Sequence, residues 1–246
     1  MDLQKILEEH KLWLTDRKQG KRANLSDVDL IGVDLKGANL SNAILHDANL
    51  YGANLSETDL SGADLSNTNL KKTDLTNAIL SGANLYSADL YSANLCNANL
   101  SNAHLIYADL NNANLCNANL HNAYLCNIDL HNANLHNANL NGVDLIDGNL
   151  CETDLTNANL CGANLYNANL RGANLSGANL HNAYLCGASL ENTNLYNANL
   201  CNATLSYTYL SDTNLCNANL YNANLSHTGS LYGVNIDGAN LTDVQE

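Results

Sequence analysis

The side chains of this chain best equipped for chemistry are its eight cysteines and eight histidines. A thiolate attacks electrophiles and binds soft metals, and an imidazole moves protons near neutral pH or ligates zinc. Their spacing follows neither use. No pair of cysteines forms a CxxC, there is no HExxH, and no glycine-rich run resembles a phosphate loop. Instead every cysteine stands directly after a leucine, as in Leu95-Cys96, Leu125-Cys126 and Leu215-Cys216. Ser, Asp and His are plentiful, but they too recur at fixed positions of a short unit. The expectation is therefore no enzyme, with no catalytic, cofactor-binding or metal-ligating residue and no cofactor.

That unit has five residues. Every fifth residue from Leu25 to Leu225 is Leu, forty-one in succession. Two positions earlier stands a small residue, mostly Ala, with Asn or Asp between, as in Ala23-Asn24-Leu25 and Ala63-Asp64-Leu65. The two residues after Leu are polar or small. Five residues of α-helix advance about 500°, which would march the leucines around every side. On a flat strand an odd period sends them to alternating faces. Only a chain that turns a corner every five residues points every Leu the same way. Ala and Leu then face inward, Asn or Asp faces outward, and the Ser/Asn/Gly pair supplies the turn.

The repeated A-(N/D)-L-x-x from Ala23 to Leu225 resembles the pentapeptide-repeat family. The resemblance implies an all-β fold, a right-handed quadrilateral parallel β-helix with four units, hence twenty residues, per coil. About ten coils at the ~4.8 Å strand spacing would make a rod roughly 50 Å long. Ile128, the largest residue at the Ala position, would lie one coil from Gly148, the smallest, as a filled core requires. Such a core has no room for a substrate, and a flat outer face does little to shift pKa values.

The ends of a solenoid need covers. Leu3, Ile6, Leu7, Trp13 and Leu14 follow helical spacing, so residues 2–15 are predicted to form an amphipathic α-helix lidding the first coil. The expected division is an N-terminal α-helical cap and linker, 1–22, followed by the β-helix, 23–246. The basic stretch Arg17-Lys18-Gln19-Gly20-Lys21-Arg22 reads as a solvated linker. At the other end the register slips by one, from Leu225 to Leu231, before Ile236 and Leu241 restore the five. Too little follows for a capping helix. Either the last coil covers itself or another subunit does, and a C-terminal homodimer is expected.

The composition supports the same picture. The chain of 246 residues has no Pro, no Phe and one Trp, yet 46% of it is hydrophobic, too much for a disordered chain. Six of the ten basic residues precede Ala23, and from there on twenty acids face Lys36, Lys71, Lys72 and Arg171. An acidic body repels nucleic acid. No apolar run reaches the ~20 residues of a membrane span, and the N-terminus, which mixes acids with apolar residues, is no signal peptide. Thiols without an export signal read as reduced and cytoplasmic, and the cysteines are expected to be free and outward-facing.

Residues twenty apart would stack into columns. Cys96, Cys116 and His136 form one, and Cys161, His181 and Cys201 another, but three ligands in line do not make a zinc tetrahedron. Asp89, Asp109 and Asp129 form an acidic stripe, expected to be solvated. Outward tyrosines (Tyr51, Tyr86, Tyr91, Tyr107, Tyr124, Tyr166, Tyr184, Tyr196, Tyr207, Tyr209, Tyr221) are candidate anchors for a protein partner of unknown identity. The first functional reading is a structural or protein-interaction rod. The alternative is a DNA mimic that binds a topoisomerase such as gyrase, as quinolone-resistance members of the family are thought to do. This chain lacks the projecting loops and the central Phe of many such members.

Overall fold

The computed structural model describes residues 2–245. Met1 and Glu246, the outermost residues of the two expected segments, lie outside the described residues. One helix, α1 (Leu3–Thr15), is followed by a coil that climbs by parallel bridges between residues twenty apart. Asn24 pairs with Ile44, Asp29 with Asn49, Asp34 with Asn54 and Asn39 with Asp59, and the pattern repeats. Each turn of the coil thus has four sides. The first side begins with residues 23–25, the second with 28–30, the third with 33–35 and the fourth with 38–40. The corners between them begin at 26–27, 31–32, 36–37 and 41–42.

Why five residues suffice for a side and a corner follows from the backbone groups. Leu25 N–H donates to the Ile44 carbonyl at 2.7 Å, and Ile44 N–H returns to Ala23 at 3.0 Å, which ties the sides together. Asp27 N–H reaches the His46 carbonyl at 3.1 Å, and Val28 N–H closes the turn onto Leu25. The remaining amide, that of Ser26, is accepted by Asn24 Oδ1 at 3.1 Å. The side chain before Leu therefore has a task that only Asn or Asp performs well at this spacing. The second corner residue has a left-handed backbone, with φ of 58° at Asp27 and Asn42 and 62° at Gly32. Asn, Asp and Gly reach that conformation cheaply, which is why they crowd the position.

The leucines from Leu25 to Leu220 are all buried, with Ala, Val, Ile or Thr between them filling the core. Where Thr replaces Ala the hydroxyl finds a carbonyl, as Thr58 Oγ1 does on Leu35 at 3.0 Å. The Ile128 and Gly148 pairing holds. A β-carbon built on Gly148 would stand 3.5 Å from Ile128 Cγ2.

Two expectations need correction. The position directly after Leu is half-buried rather than freely outward, for all eight cysteines. This residue starts the corner, and its side chain leans on the next coil, as His121 Nδ1 does on the Asn141 carbonyl at 3.0 Å. Leu225 is also only partly buried, because the coil beyond it is distorted.

The cap seats Leu3, Ile6 and Leu7 on the first coil. Asp2 caps the helix by accepting the Lys5 amide at 3.1 Å. Its most buried residue is His10, which is fully inaccessible; Nδ1 accepts the Ala23 N–H at 3.0 Å and the ring stacks on Trp13. Gly20, at φ +68°, allows the return to the coil, since a β-carbon there would collide with the Glu9 carbonyl. In the linker Arg17 lies over the Trp13 ring and Arg22 Nε donates to the Asn42 carbonyl.

At the far end the bridges span twenty-one residues, Asn214 to Asn235, Asn219 to Asn240 and Asn224 to Gln245. The extra residue falls in the stretch from Ser226 to Leu231. Leu231, Ile236 and Leu241 are 59%, 48% and 44% exposed, around an open apolar hollow of about 610 Å³ that reaches down to Leu210 and Leu215. The last coil does not cover itself.

Candidate interaction edge

With the core filled, the variable chemistry lies on the corners and along the middle of each side, and the four directions differ. The fourth side is an asparagine ladder. From Asn99 to Asn240 each side-chain amide donates to the oxygen of the asparagine one coil below, at 2.9–3.3 Å. The third side repeats this at Asn94, Asn114 and Asn134 and again at Asn174, Asn194 and Asn214. These amides satisfy each other and offer a partner little beyond a flat polar wall.

The first corner is different. Among the described residues with left-handed backbones, three carry rings, Tyr107 (φ 61°), Tyr207 (φ 60°) and His227 (φ 57°), and all three stand on this corner. A β-substituted side chain in that conformation costs roughly 1–2 kcal/mol, so a ring here is worse placed for stability than the Asn of neighbouring coils. Part of the cost is offset by ring pairs. Tyr86 meets Tyr107 edge to face at 5.8 Å, and Tyr207 stacks on His227 at 5.0 Å. On the adjoining first side His104 stacks on Tyr124 at 4.8 Å, and Tyr166 reaches Tyr184 at 6.1 Å. Among the described residues all four ring pairs of the coil lie on this side and its corner. The six tyrosines involved remain between 40% and 58% exposed.

Charge follows the same edge. Asp27, Asp29, Asp47, Asp64, Asp89, Asp109, Asp129, Asp144 and Asp147 lie on the first side, the first corner or the second side, where there is no Lys or Arg. The body's four cations stand on the second and third corners. The acidic stripe of the second side is in place, since Asp89 bridges to Asp109 and Asp109 to Asp129. Its repulsion is relieved by Lys71 Nζ, 2.7 Å from Asp89, and by Asn111 Nδ2, which donates to both Asp109 at 3.1 Å and Asp129 at 2.6 Å.

The cysteine and histidine columns run in line along their corners. Among the described residues no three His, Cys, Asp or Glu side chains converge as a metal would need. All eight cysteines are free. Burial, helped by the Asp144 carboxylate, pushes the Cys126 thiol up to about 11; burial and the neighbouring Cys96 raise Cys116. Both shifts oppose thiolate chemistry.

Comparison with known proteins settles the lineage. Segments 23–62, 58–95, 83–122, 93–132, 118–157, 153–192, 193–228 and 205–243 match the description "Pentapeptide repeats (8 copies)". The chain belongs to the pentapeptide-repeat family. Its coil is the right-handed quadrilateral β-helix of that family, with one short N-terminal helix. Among solved structures it is similar to HetL of the cyanobacterium Nostoc sp. strain PCC 7120, a pentapeptide repeat protein involved in heterocyst differentiation regulation, at 28% identity over 96% of this chain and 92% of that one, with a TM-score of 0.50. QnrB1, a plasmid-mediated fluoroquinolone resistance protein, matches at 17% identity over 89% of each chain, with a TM-score of 0.47. A pentapeptide repeat protein of the Arabidopsis thaliana thylakoid lumen matches at 34% identity over 44% of this chain and 68% of that one, with a TM-score of 0.18. The comparison with curated proteins gives no significant match. Among the described residues no helix is long and apolar enough to cross a membrane.

Sequence reasoning named the tyrosines of this edge but treated them as scattered. The signal that groups them is their remainder on division by twenty, with Tyr107 and Tyr207 also standing at the left-handed corner position. It also missed His10, a polar residue inside an apolar stripe.

Proposed function

We propose that this protein is a non-enzymatic, cytoplasmic docking rod, which holds a protein partner on its outer surface and pairs with a second copy through its C-terminal coil. The observation that carries the reading is the concentration of exposed rings and of aspartates on one edge of a rod whose core is filled by Leu and Ala. Exposed rings anchor protein contacts, while an acid-rich edge from which no Lys or Arg grows is unsuited to nucleic acid. The open terminal coil supports the pairing, since an apolar patch of this kind marks a contact. Retrieval of the tagged protein from the cells that make it should bring down one or a few proteins in near-equal amounts. Retrieval of the rod alone, with a small molecule turned over by the purified protein, would contradict the reading.

The acidic stripe supports a second reading, in which the rod stands in for DNA on a topoisomerase. A duplex is charged along its whole length. The acids of this edge end at Asp147, and beyond Thr156 the regular coil carries only Glu191 and Asp212. A gyrase supercoiling assay should therefore show no inhibition at low micromolar protein. Salt-sensitive inhibition that disappears when Asp89, Asp109 and Asp129 become Asn would reverse the order of the two readings.

A further inference from the structure

We infer that the first corner is the docking track for an extended, arginine-bearing segment of the partner protein, with guanidinium groups lying on the exposed tyrosine rings and pairing with the aspartates beside them. The inference rests on the docking-rod reading and adds the place and the chemistry of the partner. Three observations meet here. The rings Tyr86, Tyr107 and Tyr124 are about half exposed and lie on consecutive coils. Asp109 and Asp129 stand on the adjoining second side of the same coils. No Lys or Arg grows from the first side, the first corner or the second side.

A partner for such a surface must carry positive charge and a face that stacks. Arginine does both, because its planar guanidinium is weakly hydrated and lies flat on a ring while its edge meets a carboxylate. Lysine meets the charge but not the plane. The track is straight, with rungs about 4.8 Å apart, and an extended chain presents alternate side chains to one surface at about 6.6 Å. The two spacings differ by about 1.8 Å per step, which the long, flexible arginine side chain spans over two or three neighbouring rings but not along the whole track. The left-handed Tyr107 and Tyr207 strengthen the point, since local stability favours Asn at those positions. The protein's own arginines are engaged, Arg17 on Trp13, Arg22 on the Asn42 carbonyl and Arg171 on Glu191 at 3.2 Å.

The test titrates the full chain into a fluorescein-labelled short peptide of alternating arginine and serine at about 0.15 M salt. Anisotropy follows binding, and a lysine–serine peptide serves as comparison. The arginine peptide should bind several-fold tighter than the lysine peptide. Tyr107→Asn with Tyr124→Asn should weaken it about tenfold, on the scale of two exposed cation–π contacts with their lost area. Tyr51→Asn with Tyr196→Asn, on other corners, should leave it unchanged. Tyr107→Asn and Tyr124→Asn install the residue the repeat prefers at those positions, and the thermal midpoint of both double variants checks that the fold is kept. Equal binding of both peptides, with no effect of the first tyrosine pair, would reduce the edge to general charge attraction and overturn the inference. Displacement of the peptide by a soluble neutral glucan would overturn it in favour of sugar stacking. A cellular partner retrieved in stoichiometric amount but bound through another side also refutes the track and leaves the docking reading standing.

Discussion

At the scale of single residues the coil behaves as a jigsaw with one irregular pair. A β-carbon on Gly148 would lie 3.1 Å from the Leu145 carbonyl oxygen, which is already tight, and 3.4 Å from Leu150 Cδ1 and 3.5 Å from Ile128 Cγ2. Gly148→Leu should therefore destabilise the protein by about 1–3 kcal/mol through overpacking. Ile128→Ala should return part of that loss when combined with it, read from denaturant midpoints; strict additivity of the two changes would break the pairing. This pair was legible from the sequence because the large and small exceptions stand one twenty-residue period apart. The half-burial of the cysteines was not. Periodicity tells which side of the wall a residue starts from, but not that a corner side chain folds back over the coil above it. The Asn or Asp before Leu was legible only as an outward-facing residue, not as the acceptor of the corner amide. Its second bond, to the asparagine of the neighbouring coil, depends on a register that no local pattern reveals.

At the scale of elements, the cap is where the account makes a pH-dependent claim. His10 is fully buried, its Nδ1 accepts the Ala23 amide, and burial holds its pKa below the usual histidine value, with Arg22 acting in the same direction and a backbone contact at Ser41 opposing. A base whose folded pKa lies below its unfolded value leaves stability intact above about 6.5. Stability falls as pH drops below that, because the unfolded chain takes up the proton first. Protonation of Nδ1 would also turn the acceptor of the Ala23 N–H into a donor. The cap should thus loosen as pH falls below about 6.5 while the coil stays folded. Trp13, the one tryptophan, stacks on His10 at 5.5 Å and reports the change by fluorescence. Ala23 should exchange its amide faster over the same range. A fluorescence profile that is flat through this window, or unaltered by His10→Gln, would rule the mechanism out. The helix itself was predicted over residues 2–15 and is found at Leu3–Thr15, since apolar spacing suffices for a short amphipathic element. His10 escaped notice because a hydrophobic pattern discounts a polar residue even when one backbone amide needs it.

At the scale of the whole molecule, two asymmetries matter, one along the rod and one around it. Along the rod, one end is lidded and the other exposes Leu231, Ile236 and Leu241. Two such ends joined about a two-fold axis cover each other and close the assembly. Sedimentation equilibrium should give about twice the 26.4 kDa chain mass. Leu231→Glu or Ile236→Glu should yield monomers with the circular dichroism of the coil unchanged. A monomer at tens of micromolar in the unaltered protein would end the proposal of a second copy. Around the rod, the asparagine walls of the third and fourth sides stand opposite the ring-bearing, acidic first corner. The most direct measurement places a photo-crosslinking benzoylphenylalanine at Asn127, on the first corner, or at Asn137, two corners away, in otherwise identical protein. Both sites are exposed left-handed corner positions, so only direction differs. In a native extract, irradiation should join Asn127-substituted protein to a discrete partner through an arginine-bearing segment and leave the Asn137-substituted protein unlinked. Equal yields at both sites, or adducts from Asn137 alone, would contradict the claim that this rod works through one edge.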